Sequence, residues 1–389
     1  MSGTAAAARA ASEAGPPAPE QRSAAGAVAP AASSGSLPRA SGPRSGRAGA
    51  WAELLRLTAL FTVPGDALAG AAAAGARPGP RTLLAIGSSL CLYEAGMALN
   101  DWADRAEDAV ERPHRPLPSG RIRPAAALAA AGALTGAGLA LAAGAGRPAL
   151  AVAAPLAATV WAYDLTLKHT PAGPAAMAAA RGLDLLLGAA ATSGGTRAAL
   201  PSAALLGSHT LAVTAVSRRE TTGGSVLAPL AALATTGALT RLVTAGRIRL
   251  PAGRRAAAAP GLPGSNPAAQ PYRTTGLPGS APAAQPYRTT GLPGSAPAAQ
   301  PSRTTGALTT ALAAAYAATA ARPYFHATLN PSPPLVQRAV GGGIRATVPL
   351  QAALAARSGA PVTSLLVAAL APAGRMFAKR AAMRKVSIT

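Results

Sequence analysis

Asn100-Asp101-Trp102-Ala103-Asp104-Arg105-Ala106-Glu107-Asp108 follows directly on an apolar run, residues 81–99. It stands just ahead of Arg112-Pro113-His114-Arg115-Pro116-Leu117-Pro118-Ser119-Gly120. Asp101, Asp104 and Asp108 are three and four residues apart. At about 3.6 residues per turn they share a helical arc of roughly 60°. The run before them is long enough to be a membrane helix, so the carboxylates stand at its mouth. Carboxylates there cost several kcal/mol unless something compensates them. A divalent cation does so, and Mg²⁺ characteristically takes one or two carboxylates together with the oxygens of a substrate phosphate. The stretch therefore implies diphosphate chemistry at a membrane surface. A solvated charged loop is the plainer alternative, but it gives no reason for a carboxylate stripe beside a paired-proline basic segment.

Working outward, apolar segments recur near residues 52–76, 81–100, 124–146, 148–163, 172–193, 199–217, 224–246 and 306–322, with two shorter ones near 336–357 and 361–377. The first eight approach the length of about 20 residues that spans a bilayer. Alanine supplies much of their hydrophobicity, so each is only mildly apolar. Pro64, Gly65 and Pro155 would be costly inside soluble helices but are tolerated in membrane bundles. Small residues also permit close helix packing. The expected fold is all-α, a polytopic membrane bundle of nine or ten helices around a central cavity.

The carboxylate stretch and the basic segment after it resemble the first signature of the UbiA superfamily of intramembrane prenyltransferases, N-D-x-x-D-x-x-x-D followed by R-x-x-R-P-L-x-S-G. Arg112 and Arg115 are its arginines. The resemblance extends over residues 51–246 and 306–377. It implies transfer of a prenyl group from a polyprenyl diphosphate to an acceptor whose identity the residues do not reveal. It implies Mg²⁺ held by Asp101, Asp104 and Asp108, with Asn100 completing or orienting that shell and Arg112 and Arg115 meeting substrate charge. Tyr163-Asp164-Leu165-Thr166-Leu167-Lys168 resembles the family's tyrosine-and-lysine element. Lys168 there can reach a diphosphate as a point charge or anchor the segment at the cytoplasmic face. Asp164 and Lys168 form an i,i+4 pair if the helix continues.

The family's second signature, D-x-x-x-D after the sixth helix, is altered. The corresponding stretch is Ser217-Arg218-Arg219-Glu220-Thr221-Thr222-Gly223-Gly224, with Glu220 as its one carboxylate. Guanidinium groups clamp phosphate oxygens bidentately and carry permanent charge. Arg218 or Arg219 can therefore replace part of a missing metal's charge, unless the pair only fixes topology and the reaction has been lost. A non-catalytic member of the fold, binding or moving an isoprenoid lipid, is the alternative reading. Arg181 and Asp184 fall inside an apolar segment, where charged groups usually face a cavity and pair with one another. They either line the substrate chamber or form a structural pair.

Composition narrows the classes further. The chain has 389 residues and a formal net charge of +23, with 3% aromatic and 13% charged residues. Arginine dominates, the lysines being Lys168, Lys379 and Lys385. That charge invites a nucleic-acid partner, but no aromatic residues interleave with the arginines to stack on bases. A basic chain with apolar segments suits an anionic membrane surface instead. Cys91 is the single cysteine, which excludes an intramolecular disulfide. The helical segments lack the internal symmetry expected of a transporter.

Residues 1–50, rich in Ala, Ser, Gly and Pro, contain no compact hydrophobic core of a signal-peptide kind and read as a disordered cytoplasmic tail. Residues 378–389 read as a basic C-terminal tail. Positive-inside bias places Arg375, Lys379, Arg380, Arg384 and Lys385 in the cytoplasm, together with the Asp-rich loop, in a multi-pass plasma-membrane protein. Residues 247–305 read as a disordered loop containing a 15-residue repeat. GLPGSNPAAQPYRTT, GLPGSAPAAQPYRTT and GLPGSAPAAQPSRTT follow one another from Gly261 to Thr305. The unit has no apolar stripe to bury, which separates it from solenoid repeats. Deleting Gly261–Thr305 should therefore leave the melting temperature and Mg²⁺-dependent diphosphate binding of the purified protein unchanged; loss of either would contradict the linker reading.

Overall fold

The computed structural model describes residues 43–56, 61–219, 223–245 and 303–386. Glu220 and the repeats up to Ser302 lie outside them, whereas Arg303–Thr305, expected as the end of the disordered loop, form the first turn of a helix. Among the described residues every regular element is helical. In chain order they are α1 (Pro43–Leu54), α2 (Val63–Ala73), α3 (Pro80–Ala103), α4 (Arg105–Glu111), α5 (Pro124–Ala145), α6 (Arg147–Ala162) and α7 (Gly173–Ser193). They continue as α8 (Leu200–Ser217), α9 (Leu227–Thr244), α10 (Arg303–Leu329), α11 (Pro333–Arg357) and α12 (Pro361–Val386). A π-turn, Tyr163–Leu167, prolongs α6. Among the described residues, six helices are long and apolar enough to cross a membrane, those containing α3 and α5 to α9. That set of helices is the framework of an integral membrane protein.

Proline marks most of the helix starts. It occupies the first turn of α2, α3, α5, α6, α7, α8 and α11. Its missing N–H costs nothing there, because first-turn donors have no intrahelical partner. Gly194 stops α7 in the left-handed conformation (φ 77°) that glycine adopts freely.

Helix association depends on small residues. A Cβ on Gly70 of α2 would lie 1.9 Å from the Leu185 carbonyl oxygen of α7, and one on Gly188 of α7 would lie 2.3 Å from that of Ala67. The two helices thus touch backbone to backbone. This brings Asp66, one turn above Gly70, level with Arg181. The largest core cluster mixes alanines with Leu185, Leu206, Tyr316, Tyr324, Leu350 and Leu354 from α7, α8, α10 and α11. Leu200, Leu211, Leu230, Leu242, Leu365 and Leu366 face outward, as lipid-facing positions do.

Most segment limits expected from the sequence match within a few residues, and three differ. The run 52–76 contains two helices, because α1 ends at Leu54 and α2 begins only at Val63. α1 starts at Pro43, inside the segment expected as tail. It is held there by Ala50 and Leu54, which are fully buried against Ala98, Leu99, Leu117 and Ile122. α10 runs through Pro323 to Leu329, because Gly342 of α11 makes room for the ring; a Cβ there would lie 2.8 Å from Pro323 Cγ. α12 likewise passes Pro372 and continues to Val386, so most of the basic tail is helical.

The α2–α7 contact gives a direct test. Gly188→Ala should lower the unfolding midpoint in detergent by the equivalent of about 1–3 kcal/mol, the usual cost of overpacking. Gly132→Ala, whose new methyl would meet nothing within 4 Å, should leave it unchanged or raise it.

Candidate active site

The expected carboxylate stripe exists, but on two helices. α3 ends at Ala103, Asp104 forms the junction (φ −84°, ψ 4°), and α4 resumes at Arg105. The ladder survives the interruption: Asp104 N–H donates to the Asn100 carbonyl (2.9 Å) and Asp108 N–H to that of Asp104 (2.8 Å). Asp101 and Asp108 remain on one side, because Arg115 reaches both. Its Nη1 lies 3.6 Å from Asp101 Oδ1 and 2.7 Å from Asp108 Oδ2. Both carboxylates are buried, at 4% and 2% exposure. Arg112 adds a second contact to Asp108 (3.3 Å). The turn from Arg112 to Ile122 aims these arginines, closed by Ser119 N–H on the Arg115 carbonyl (3.0 Å) and Ile122 N–H on that of Pro116 (3.0 Å).

Lys168 pairs with Asp104. The i,i+4 pairing of Lys168 with Asp164 is therefore corrected. The π-turn widens the hydrogen-bonded turn by one residue, Lys168 N–H donating to the Tyr163 carbonyl (2.9 Å), so the two no longer stack as in an α-helix and the ammonium meets Asp104. Asp164 instead accepts from Asn100 Nδ2 (3.3 Å).

Beneath this knot lies a cavity of about 320 Å³ between α3, α6, α7 and α8. Asn100, Tyr163 and Asp164 stand at its carboxylate end, and Leu92, Met97, Leu156 and Val160 form apolar walls. Arg181 and Asp184 line it too, together with Ser89 and Tyr93. Arg181 does not pair with Asp184 in the way the sequence suggested. Its ion pair is with Asp66, which is fully buried and also accepts from Gln351 Nε2 (2.7 Å). Asp184 accepts from Ser89. The two residues are therefore both chamber lining and part of a structural network joining α2, α3, α7 and α11.

Arg218 and Arg219 follow α8 and are exposed. Arg218 Nη1 donates to the Thr170 carbonyl, on the loop that carries Lys168. Neither arginine is within ion-pair distance of the three aspartates.

Several site residues gave no sequence signal. Arg56, after α1, pairs with Asp101 (3.2 Å). It stands within a short interruption of an apolar run, where an arginine reads as a flank. Asp66 and Gln351 sit in alanine-rich helices with no motif around them. Glu107 and His169 join Asp104 in a group whose ligating atoms lie within 4.8 Å of one another. Only the fold brings His169 there.

The residues fit a hard divalent cation. Asp101 and Asp108 share Arg115, Asp104 lies within electrostatic reach of Asp101, and in the structure each is compensated by a cationic side chain: Asp101 by Arg56 and Arg115, Asp104 by Lys168, Asp108 by Arg112 and Arg115. Asp101, Asp104, Asp108 and Glu107 offer the oxygen donors that Mg²⁺ prefers. A consequence follows for stability. Arg115→Met removes the cation shared by two buried carboxylates, and for this partly exposed arginine the cost should be about 1–3 kcal/mol. Added Mg²⁺ should recover part of the lost melting temperature in the variant and change wild type less. Equal Mg²⁺ responses would show that the carboxylates do not attract the ion.

The chain is similar to known proteins in sequence and in fold. A digeranylgeranylglyceryl phosphate synthase of Methanopyrus kandleri is 34% identical over 115 residues, 30% of this chain and 41% of that protein. The protein of the same name from Natronomonas pharaonis is 32% identical over 162 residues, 41% of this chain and 58% of that protein. The chain thus spans about half the length of these curated relatives. A solved structure of a digeranylgeranylglyceryl phosphate synthase shares the fold, with TM-score 0.51 and 14% identity over 80% of this chain and 99% of that one. Residues 59–244, which carry the carboxylate stripe, the π-turn lysine, Asp66 and Arg181, match the model of the UbiA prenyltransferase family.

Proposed function

We propose that the protein transfers a prenyl group from a polyprenyl diphosphate to an acceptor within the membrane, with Mg²⁺ bound at Asp101, Asp104 and Asp108. The observation that carries this reading is the knot of buried carboxylates and paired cations at the mouth of an apolar cavity. A diphosphate belongs at the knot and a prenyl chain in the cavity. Mg²⁺, when bound, supplies Lewis-acid charge for the diphosphate oxygens.

The chain's own groups do the rest. Arg115 and Lys168, already held against the carboxylates, take up charge as the allylic C–O bond breaks. Arg112 steadies Asp108. Asn100 and Tyr163 orient the substrate where knot and cavity meet. Arg218 and Arg219 add permanent positive charge at the same end of the bundle in place of a second metal, and Glu220 is the remaining carboxylate of that loop. Arg181 and Asp184 give the deep end of the cavity its polar character. The apolar walls keep water from the developing allylic cation.

The arrangement in the membrane belongs to the same reading. The six long apolar helices, with α2, α10, α11 and α12 added, make nine or ten crossings around the central cavity. Clustered basic residues support a cytoplasmic mouth and a plasma-membrane location.

Asp104→Ala should lower Mg²⁺-dependent release of diphosphate from geranylgeranyl diphosphate in native membranes about 10²–10³-fold, the usual effect of removing one preorganised electrostatic group. Wild-type membranes that release none would overturn the reading.

A further inference from the structure

Residues 221–389 contain neither aspartate nor glutamate. The arginines of α10 and α11 therefore find no carboxylate on their own part of the chain. Arg345 is the sharpest case, because it is the central residue of the 25-residue α11. A neighbour fixes its depth. His209, near the middle of α8, donates through Nε2 to the Gly343 carbonyl (3.0 Å), since a carbonyl only accepts. α8 belongs to one of the six spans long and apolar enough to cross a membrane. Arg345 is two residues beyond Gly343, about 3 Å of helical rise. It thus lies close to the bilayer midplane. The chain climbs about 12 Å from His209 to the end of α8 at the mouth before Glu220 enters the sequence.

Arg345 also faces outward. Gly343 packs inward: a Cβ there would lie 2.3 Å from Tyr324 Oη and 2.7 Å from Val213 Cγ2. Two residues turn a helix by about 200°, so Arg345 points the opposite way. It is exposed, as is its neighbour Ile344. It is not part of the cavity wall. The ion pairs among the described residues all use other cations.

We propose that the outer face of α11 around Arg345 docks a transmembrane helix of a different membrane protein, one that carries a carboxylate near the bilayer centre. The inference rests on the membrane arrangement given above and is independent of the transfer reaction. An unanswered cation at that depth is costly, and intramembrane charges are met by partners. Three observations choose the occupant. A lipid phosphate lies about 15 Å from the midplane, half of a core about 30 Å thick, which is farther than an arginine side chain reaches. A second copy of this chain offers no carboxylate at this depth: among the described residues its exposed acids, Glu53, Glu107 and Glu111, stand at the mouth, and Glu94 is buried. Gly341, one turn nearer the mouth, shapes the face for a helix. A Cβ there would lie 3.2 Å from Arg345 Nη1, so the guanidinium lies along α11 over a residue without a side chain. The face stays flat enough for close backbone approach. Arg338, also exposed, repeats one heptad nearer the mouth on the same face and gives the contact a second charge.

The test uses full-length protein in phosphatidylcholine vesicles with a synthetic polyleucine helix carrying one central glutamate. Association is read by energy transfer from a donor on the protein to an acceptor on the helix. Wild type should bind this helix about tenfold more tightly than the same helix with glutamine, the scale of an interhelical polar contact in lipid. Arg345→Leu should lose that preference, and Arg345→Lys should keep part of it. Without any helix, Arg345→Leu should unfold at the same temperature as wild type or higher, because it removes an unanswered charge. A lower midpoint would mean that the arginine is answered within its own chain and would overturn the proposal, as would equal binding of the two helices by wild type. If added phosphatidylglycerol erases the preference, the face is a lipid site. If wild type self-associates and Arg345→Leu does not, it is a dimer face. Either result overturns the partner helix. Depth is read separately: Ile344→Cys in a Cys91→Ser background should resist a membrane-impermeant maleimide. Ready labelling would put this face in water and overturn the proposal through its membrane premise, leaving the transfer reaction untouched.

Discussion

Charge inside or beside a bilayer must be answered by opposite charge, and that constraint organises this molecule. Asp66 is fully buried in a helix with no other charged residue, and it persists because Arg181 and Gln351 meet it from α7 and α11. Asp101 and Asp108 are buried at the mouth and share Arg115. The Asp66 contacts join elements far apart in sequence, so they also fix which helices are neighbours. Breaking one partner would leave the other as an uncompensated buried charge, which costs far more than an exposed pair contributes.

The second constraint is size. Helices this rich in alanine gain little from burying side chains, and in lipid the hydrophobic effect does not drive them together. Close approach substitutes for it. Gly70 and Gly188 let α2 and α7 meet at the backbone, and that contact lets the short Asp66 side chain reach Arg181. The chemistry of the cavity's deep end therefore depends on glycines with no polar role of their own.

These two constraints explain what was legible in the sequence and what was not. The carboxylate stripe, the basic turn after it and the Tyr163–Lys168 element are local patterns, readable because their members lie within a turn or two of one another. Most helix limits were readable for the same reason, with proline starting helices and the apolar runs setting their lengths. Arg56, Asp66, Gln351 and His169 were not, because each acquires its partner across the bundle. Local reasoning failed where backbone geometry changed without a sequence mark. The π-turn at Tyr163 has no proline or glycine, yet it shifts Lys168 from Asp164 to Asp104. Arg181 and Asp184, three apart on one helix, looked like a natural pair, but the backbone contact through Gly188 supplied a different partner.

The loop from Lys168 to Gly173 then takes on a specific role. It is short, its first residue is committed to the carboxylate knot, and its Thr170 carbonyl is committed to Arg218. A lysine that moved to follow a leaving diphosphate would pull on the same few residues that seat Arg218, so the two ends of this loop are joined through its backbone. Guanidinium keeps its charge at any physiological pH, so the Arg218 end stays positive whatever the lysine does.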